Sequence, residues 1–212
     1  MSSSPFDISD FIREWEIDAK QILKDHDFNV DTSKQEMMQT QSDDVPIASK
    51  LRNDVLLSDG LLKFYECTNG LWLWSEDGSL RQRIYEIDKI DLYKKVAPEQ
   101  VEAWYPASEI GTRTVPSVPD IDYFIYGDDQ DPLDVRLEYL NEAMLLSNDY
   151  LDAEILVIPS VVSEKGEFEI WYLAHYISGA SRFRDIFDYL TYERKQNLER
   201  LEEYIPIVKA MK

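Results

Sequence analysis

The chain has 212 residues, 44% of them hydrophobic, with one cysteine and with 42 acids against 22 bases for a formal net charge of −20. A chain of this length buries a core without disulfides, and its charge repels both nucleic acid and anionic membrane, which makes them poor direct partners. No apolar run approaches the roughly 20 residues that cross a bilayer, and Met1 to Asp7 lack the basic and apolar regions of a secretory signal, so a reducing, cytoplasmic setting is expected.

In chain order, Ser4, Pro5 and Asp7 read as the cap and first turn of a helix. Phe11, Ile12, Trp15, Ala19, Ile22 and Leu23 then recur at helical spacing as one apolar stripe. Residues 1–28 are this N-terminal helix, 29–41 a polar linker, and 42–212 an α+β domain. Ser42 or Asp43 is positioned to cap a short helix through Lys50-Leu51-Arg52. Ser58 caps a second helix, Asp59 to Cys67, in which the lone thiol is expected to be a buried structural one.

Asn69-Gly70 stops that helix and turns the chain into a strand, Leu71 to Trp74. A turn at Asp77-Gly78 precedes a second strand, Arg83 to Ile87. Pro98 opens a short helix that runs to Tyr105 and is closed by Pro106. After a loop from Gly111 to Pro119, Tyr123-Phe124-Ile125-Tyr126 reads as strand, Gly127 to Pro132 as loop, and Leu133 to Leu146 as further sheet with a helical turn. The clearest strands are Glu154 to Pro159 and Glu167 to Tyr176, joined by Glu164-Lys165-Gly166. Beyond Ser178-Gly179-Ala180 the chain reads as helical, with the stripe Phe183, Ile186, Phe187, Leu190, Leu198, Leu201 and Ile205. Helices at both ends of a run of strands give an α+β fold: a mostly antiparallel or mixed central sheet, covered by helices on one side.

The acids are unevenly spread. Between Asp120 and Glu154 there are eleven, with Arg136 as the single base, which is about half of the net charge. That concentration points to a docking face for a basic partner. Trp72 with Trp74, Tyr123 with Tyr126 and Trp171 with Tyr172 fall on expected strands, where alternation is taken to put one member of a pair in the core and leave its partner exposed. Rings beside carboxylates make a binding hot spot. The candidate partner-binding residues are therefore Asp120, Asp122, Tyr126, Asp128, Asp129, Asp131 and Asp134, with Trp72 and Trp74.

Catalytic and metal signals are weak. His26 and His175 lack zinc-ligand spacing, and Asp128-Asp129-Gln130-Asp131 lacks the alternating acids, central glycine and terminal glutamate of a calcium loop. No nucleophile elbow, Cys-His motif or phosphate-binding glycine loop occurs. The expectation is a binding protein with neither cofactor nor metal.

The run from Leu57-Ser58-Asp59-Gly60 through Asn69-Gly70 to Leu71-Trp72-Leu73 resembles the helix, turn and strand of the SUKH superfamily in its Smi/Knr branch. Tyr126-Gly127-Asp128 with Asp131-Pro132, the strand Glu154 to Pro159, and Glu167 to Phe183 extend the likeness over about residues 42 to 195. Ser178 stands where that family often has proline, and Leu57-Ser58 replaces its usual Leu-Pro. The resemblance implies a non-catalytic α+β module, in bacteria commonly the immunity protein of a toxin system, with a cognate toxin as partner. Many such toxins carry basic clefts, which an acidic face would meet. The alternative is a regulatory or scaffold module that binds an endogenous protein through its N-terminal helix and linker.

Overall fold

The computed structural model describes residues 7–28, 36–38, 55–105, 116–149 and 153–211. Ile8, Ile12, Trp15, Ala19 and Leu23 form the buried stripe of α1 (Ile8–Asp25). Its cap is Asp7, whose carboxylate accepts the Asp10 N–H at 3.1 Å. Asp7 is therefore the cap itself, where the sequence pointed to Ser4. An aspartate there meets an unpaired N–H and also faces the positive end of the helix dipole. Ser4, Pro5, most of the expected linker and the expected helix at Lys50 to Arg52 lie outside the described residues.

In α2 (Asp59–Cys67), Leu61, Phe64 and Tyr65 face inward and Ser58 caps the start, as read from sequence. Glu167 reinforces that start from far along the chain, accepting the Gly60 N–H at 2.9 and 3.0 Å. Cys67 is exposed. It sits off the inward stripe in the last turn, which overrides the expectation of a buried thiol.

β1 (Leu71–Trp74) and β2 (Leu80–Ile84) form an antiparallel hairpin. The turn between them is tied by Asp77, which accepts from both the Ser75 and Ser79 hydroxyls at 2.6 Å. The second strand begins earlier than expected and ends at Ile84; Ile87 instead starts a 3-10 turn.

β3 (Asp91–Leu92), α3 (Tyr93–Val96) and α4 (Pro98–Trp104) follow, then α5 (Asp120–Tyr123), a 3-10 turn over Leu137–Asn141, β4 (Met144–Asp149), β5 (Ala153–Val162), β6 (Phe168–Ala174), β7 (Gly179–Phe183) and α6 (Ile186–Ala210). The larger sheet has the order β3-β4-β5-β6-β7 and is antiparallel throughout.

Its two central strands are apolar on both faces. Ile155, Val157, Ile170, Tyr172 and Ala174 belong to a cluster with Trp15, Phe64, Trp74, Leu190 and Leu201. Leu156, Ile158, Trp171 and Leu173 belong to a second cluster with Tyr93, Val101, Tyr123 and Leu140. The sheet is thus covered on both sides, not on one. The unbroken run Ile155-Leu156-Val157-Ile158 carries that signature, since a half-solvated strand would alternate.

Tyr123 to Tyr126 is not a strand: Tyr123 ends a helical turn opened by Pro119, and Phe124 and Ile125 are exposed. The chain after Ser178 is not yet helical, because Gly179 to Phe183 adds the edge strand β7 before Asp185 caps α6. Ser178, at φ 56°, makes the left-handed turn that starts it.

α1 docks on α6 through Asn197. Its Oδ1 accepts the Trp15 indole N–H at 2.9 Å, and its Nδ2 donates to the Trp74 carbonyl at 2.9 Å.

Candidate functional site

The acidic segment is built upward from two buried arginines. Arg136, its only base, lies 3% exposed. Nε and Nη2 donate to the Val118 carbonyl at 2.9 and 2.7 Å, Nη2 also meets Asp120, and the guanidinium stacks 4.3 Å from the Tyr123 ring. Arg182, on β7, is buried to 1% and donates to the carbonyls of Tyr123 and Ile125 while stacking 4.2 Å from the same ring. Tyr123 is thereby held between two guanidiniums, an arrangement that fixes α5 without any strand.

Beneath them, Glu169 of β6 accepts the Tyr123 hydroxyl at 3.1 Å, the Tyr126 hydroxyl at 3.3 Å and the Trp171 indole N–H at 2.9 Å, with Arg182 at 3.7 Å. Burial pushes the Glu169 carboxyl above its ordinary range, against the pull of Trp171 and Arg182. Burial likewise raises the Tyr123 and Tyr126 hydroxyls, with the Glu169 charge adding to it.

The loop after Tyr126 is clasped to the outer edge of β7. Gln130 accepts the Arg182 N–H at 2.6 Å and donates to the Arg182 carbonyl at 2.9 Å, and Ala180 N–H donates to the Pro132 carbonyl at 3.0 Å. A side chain amide and one loop carbonyl here stand in for a sixth strand and close an exposed edge. The approach is so close that a Cβ on Gly179 would lie 2.0 Å from the Pro132 oxygen.

On this pinned segment Asp120, Asp122, Asp128, Asp129 and Asp131 are exposed, and Tyr126 and Asp134 are partly buried. Among the acids, Ile121 is 81% exposed, Leu133 64%, Phe124 48% and Ile125 38%. These four apolar side chains were not among the residues singled out from sequence, because the expected strand placed two of them in a sheet. Trp72 and Trp74 lie elsewhere, on β1. Trp74 is buried, with Lys20 of α1 5.9 Å from its ring, and Trp72 is half-buried against Gly70. The two rings are two residues apart, so strand alternation does not separate them, and neither joins the acidic segment.

Between this segment, β7 and the first turns of α6 lies a cleft of about 470 Å³ that Tyr126 and Asp128 help to line. His175 stacks on Trp104 at 4.4 Å and His26 ends α1. Among the described residues no three His, Cys, Asp or Glu side chains converge to hold a metal, and no helix is long and apolar enough to cross a membrane. No protein family, curated protein or solved structure matches this chain.

Proposed function

We propose that this chain is a protein-binding module that acts through the segment Asp120 to Asp134 on a basic partner. The observation that carries the reading is the placing of Ile121, Phe124, Ile125 and Leu133 in solvent among Asp120, Asp122, Asp128, Asp129 and Asp131, on backbone immobilised by Arg136, Arg182 and Gln130. Exposing apolar groups costs a free protein solubility, and a partner that covers them recovers the burial energy. A pre-formed surface loses little conformational entropy on docking, and the acids select and steer a cationic partner. The likeness of residues 42 to 195 to Smi/Knr-type immunity proteins adds the narrower reading, in which that partner is a toxin whose basic cleft the segment covers.

The N-terminal helix is less suited to the contact, because its apolar stripe is already buried against the core. The test is the association rate with a basic partner recovered from the native cell. It should fall steeply as salt rises, and Asp128→Lys, Asp129→Lys and Asp131→Lys together should lower it by about tenfold or more at low salt. Leu133→Asp should speed dissociation. An unchanged rate in the triple variant, with Leu133→Asp also silent, would remove this surface from consideration.

A further inference from the structure

A second cleft, of about 300 Å³, lies between β2, β6 and α6. Four tyrosines line it: Tyr172 of β6, Tyr176 just beyond that strand, and Tyr192 and Tyr204 of α6. Tyr172 and Tyr176 form a corner, with ring centroids 6.4 Å apart at 64° and their hydroxyls hydrogen-bonded to each other. Tyr176 is 61% exposed and Tyr204 45%, so both rings are open to a ligand. The face of an aromatic ring attracts a cation. This lining already holds one in that way, the Arg83 guanidinium, 5.3 Å from the Tyr172 ring.

The charges give the sign of the ligand. Each base of the lining already faces a carboxylate, Arg83 with Glu193 at 2.8 Å and Arg200 with Glu76 at 4.0 Å. That leaves Glu199 and Glu203, one turn apart on α6. Glu199 has Lys195 at 4.0 Å, with both side chains more than half exposed, and Glu203 makes no ion pair among the described residues. The balance repels an anion and attracts a cation. Hydrogen-bonding capacity narrows the class. Glu193 accepts from Arg83 and from the Tyr189 hydroxyl, and the Tyr172 and Tyr176 hydroxyls engage each other. A primary ammonium brings three N–H groups out of water and would find few acceptors. A nitrogen that carries only alkyl groups brings none, and its methyls gain from burial against the rings.

We infer that this cleft binds a small quaternary ammonium molecule, its alkylated head among the four tyrosines and its charge toward Glu199 and Glu203. The site does not depend on whether the acidic segment docks a protein.

Titration of the isotope-labelled full chain with choline at constant ionic strength, followed by amide NMR, tests it. Saturable shifts are expected at 172–176 and 192–204. Ethanolamine, and the choline analogue with an uncharged carbon in place of nitrogen, should each bind weaker by about fivefold or more. Tyr176→Leu should weaken choline by about threefold or more, whereas Tyr176→Phe, which keeps the ring, should stay within about twofold. Amides far from the cleft report that both variants keep the fold. Glu203→Gln should weaken choline by about twofold at low salt and by less at high salt. Equal binding of either control, shifts that never saturate, or wild-type affinity in Tyr176→Leu would each overturn the assignment. So would a blocked trimethyllysine that binds where choline does not, since the ligand would then be a side chain of another protein and not a small molecule.

Discussion

Arg182 and Glu169 show how much of the acidic segment rests on residues outside it. Both are buried, 3.7 Å apart, and each also holds backbone or hydroxyl groups of the residues 123–126 above. Replacing one member of such a pair strands the other charge, so Arg182→Met is expected to lose about 3–5 kcal/mol in urea-induced unfolding. The titration of Glu169 has a definite sign. Its folded pKa is raised above the ordinary 4.5, so the folded chain holds that proton more tightly than the unfolded one. Its favourable contribution is complete below pH 4.5 and is lost as pH rises through the folded value. Unfolding free energies of the wild type relative to Glu169→Gln should therefore decline with rising pH across that window; a rise would contradict the burial of an ionisable carboxyl there. Neither residue was legible beforehand. Arg182 was read as the approach to a helix, although its alternation with Ala180 puts it in phase with a buried face, and Glu169 looked like one more acid among 42.

The same contrast holds for whole elements. Helices with caps and stripes were legible: α2 and its Ser58 cap, α4 behind Pro98, and the body of α6. So were β1 and the hairpin through Gly166, since turn residues punctuate them. What could not be read was any element fixed by distant contacts. β7 is five residues of small and mixed character, Gly179-Ala180-Ser181-Arg182-Phe183, and it is a strand because β6 pairs on one side and the Gln130 loop on the other. Tyr123 to Tyr126 has strand composition, yet two arginines hold it as a turn. Gly179→Ala would press a Cβ into the Pro132 backbone, and a loss of about 1–3 kcal/mol with release of the loop is expected. Chemical denaturation gives the first, and faster amide exchange at Ala180 and Arg182 the second. Asn197→Ala removes the shared partner of two buried groups, the Trp15 indole N–H on α1 and the Trp74 carbonyl on β1, so a loss of about 2–5 kcal/mol is expected in thermal or urea unfolding.

For the molecule as a whole, the net charge of −20 becomes a local matter once the buried bases are discounted: Arg136 and Arg182 are structural struts, and the carboxylates above them face solvent. The polar N-terminal region, set apart in the sequence reading as helix and linker, contributes Ile8, Ile12, Trp15, Ala19 and Leu23 to the same cluster as the face of the main sheet. Removal of residues 1–28 should accordingly lower the unfolding midpoint and expose dye-binding apolar surface, and would not leave the remaining fold intact. The Asn197 clasp also bears on time. Strands β5, β6 and β7 pair with their neighbours in sequence, but Trp15 reaches Asn197 across 182 residues. Contacts that close so long a loop pay their entropy late. α1 is thus held in place by a residue of α6, and closing that long loop adds to the entropy its docking must offset.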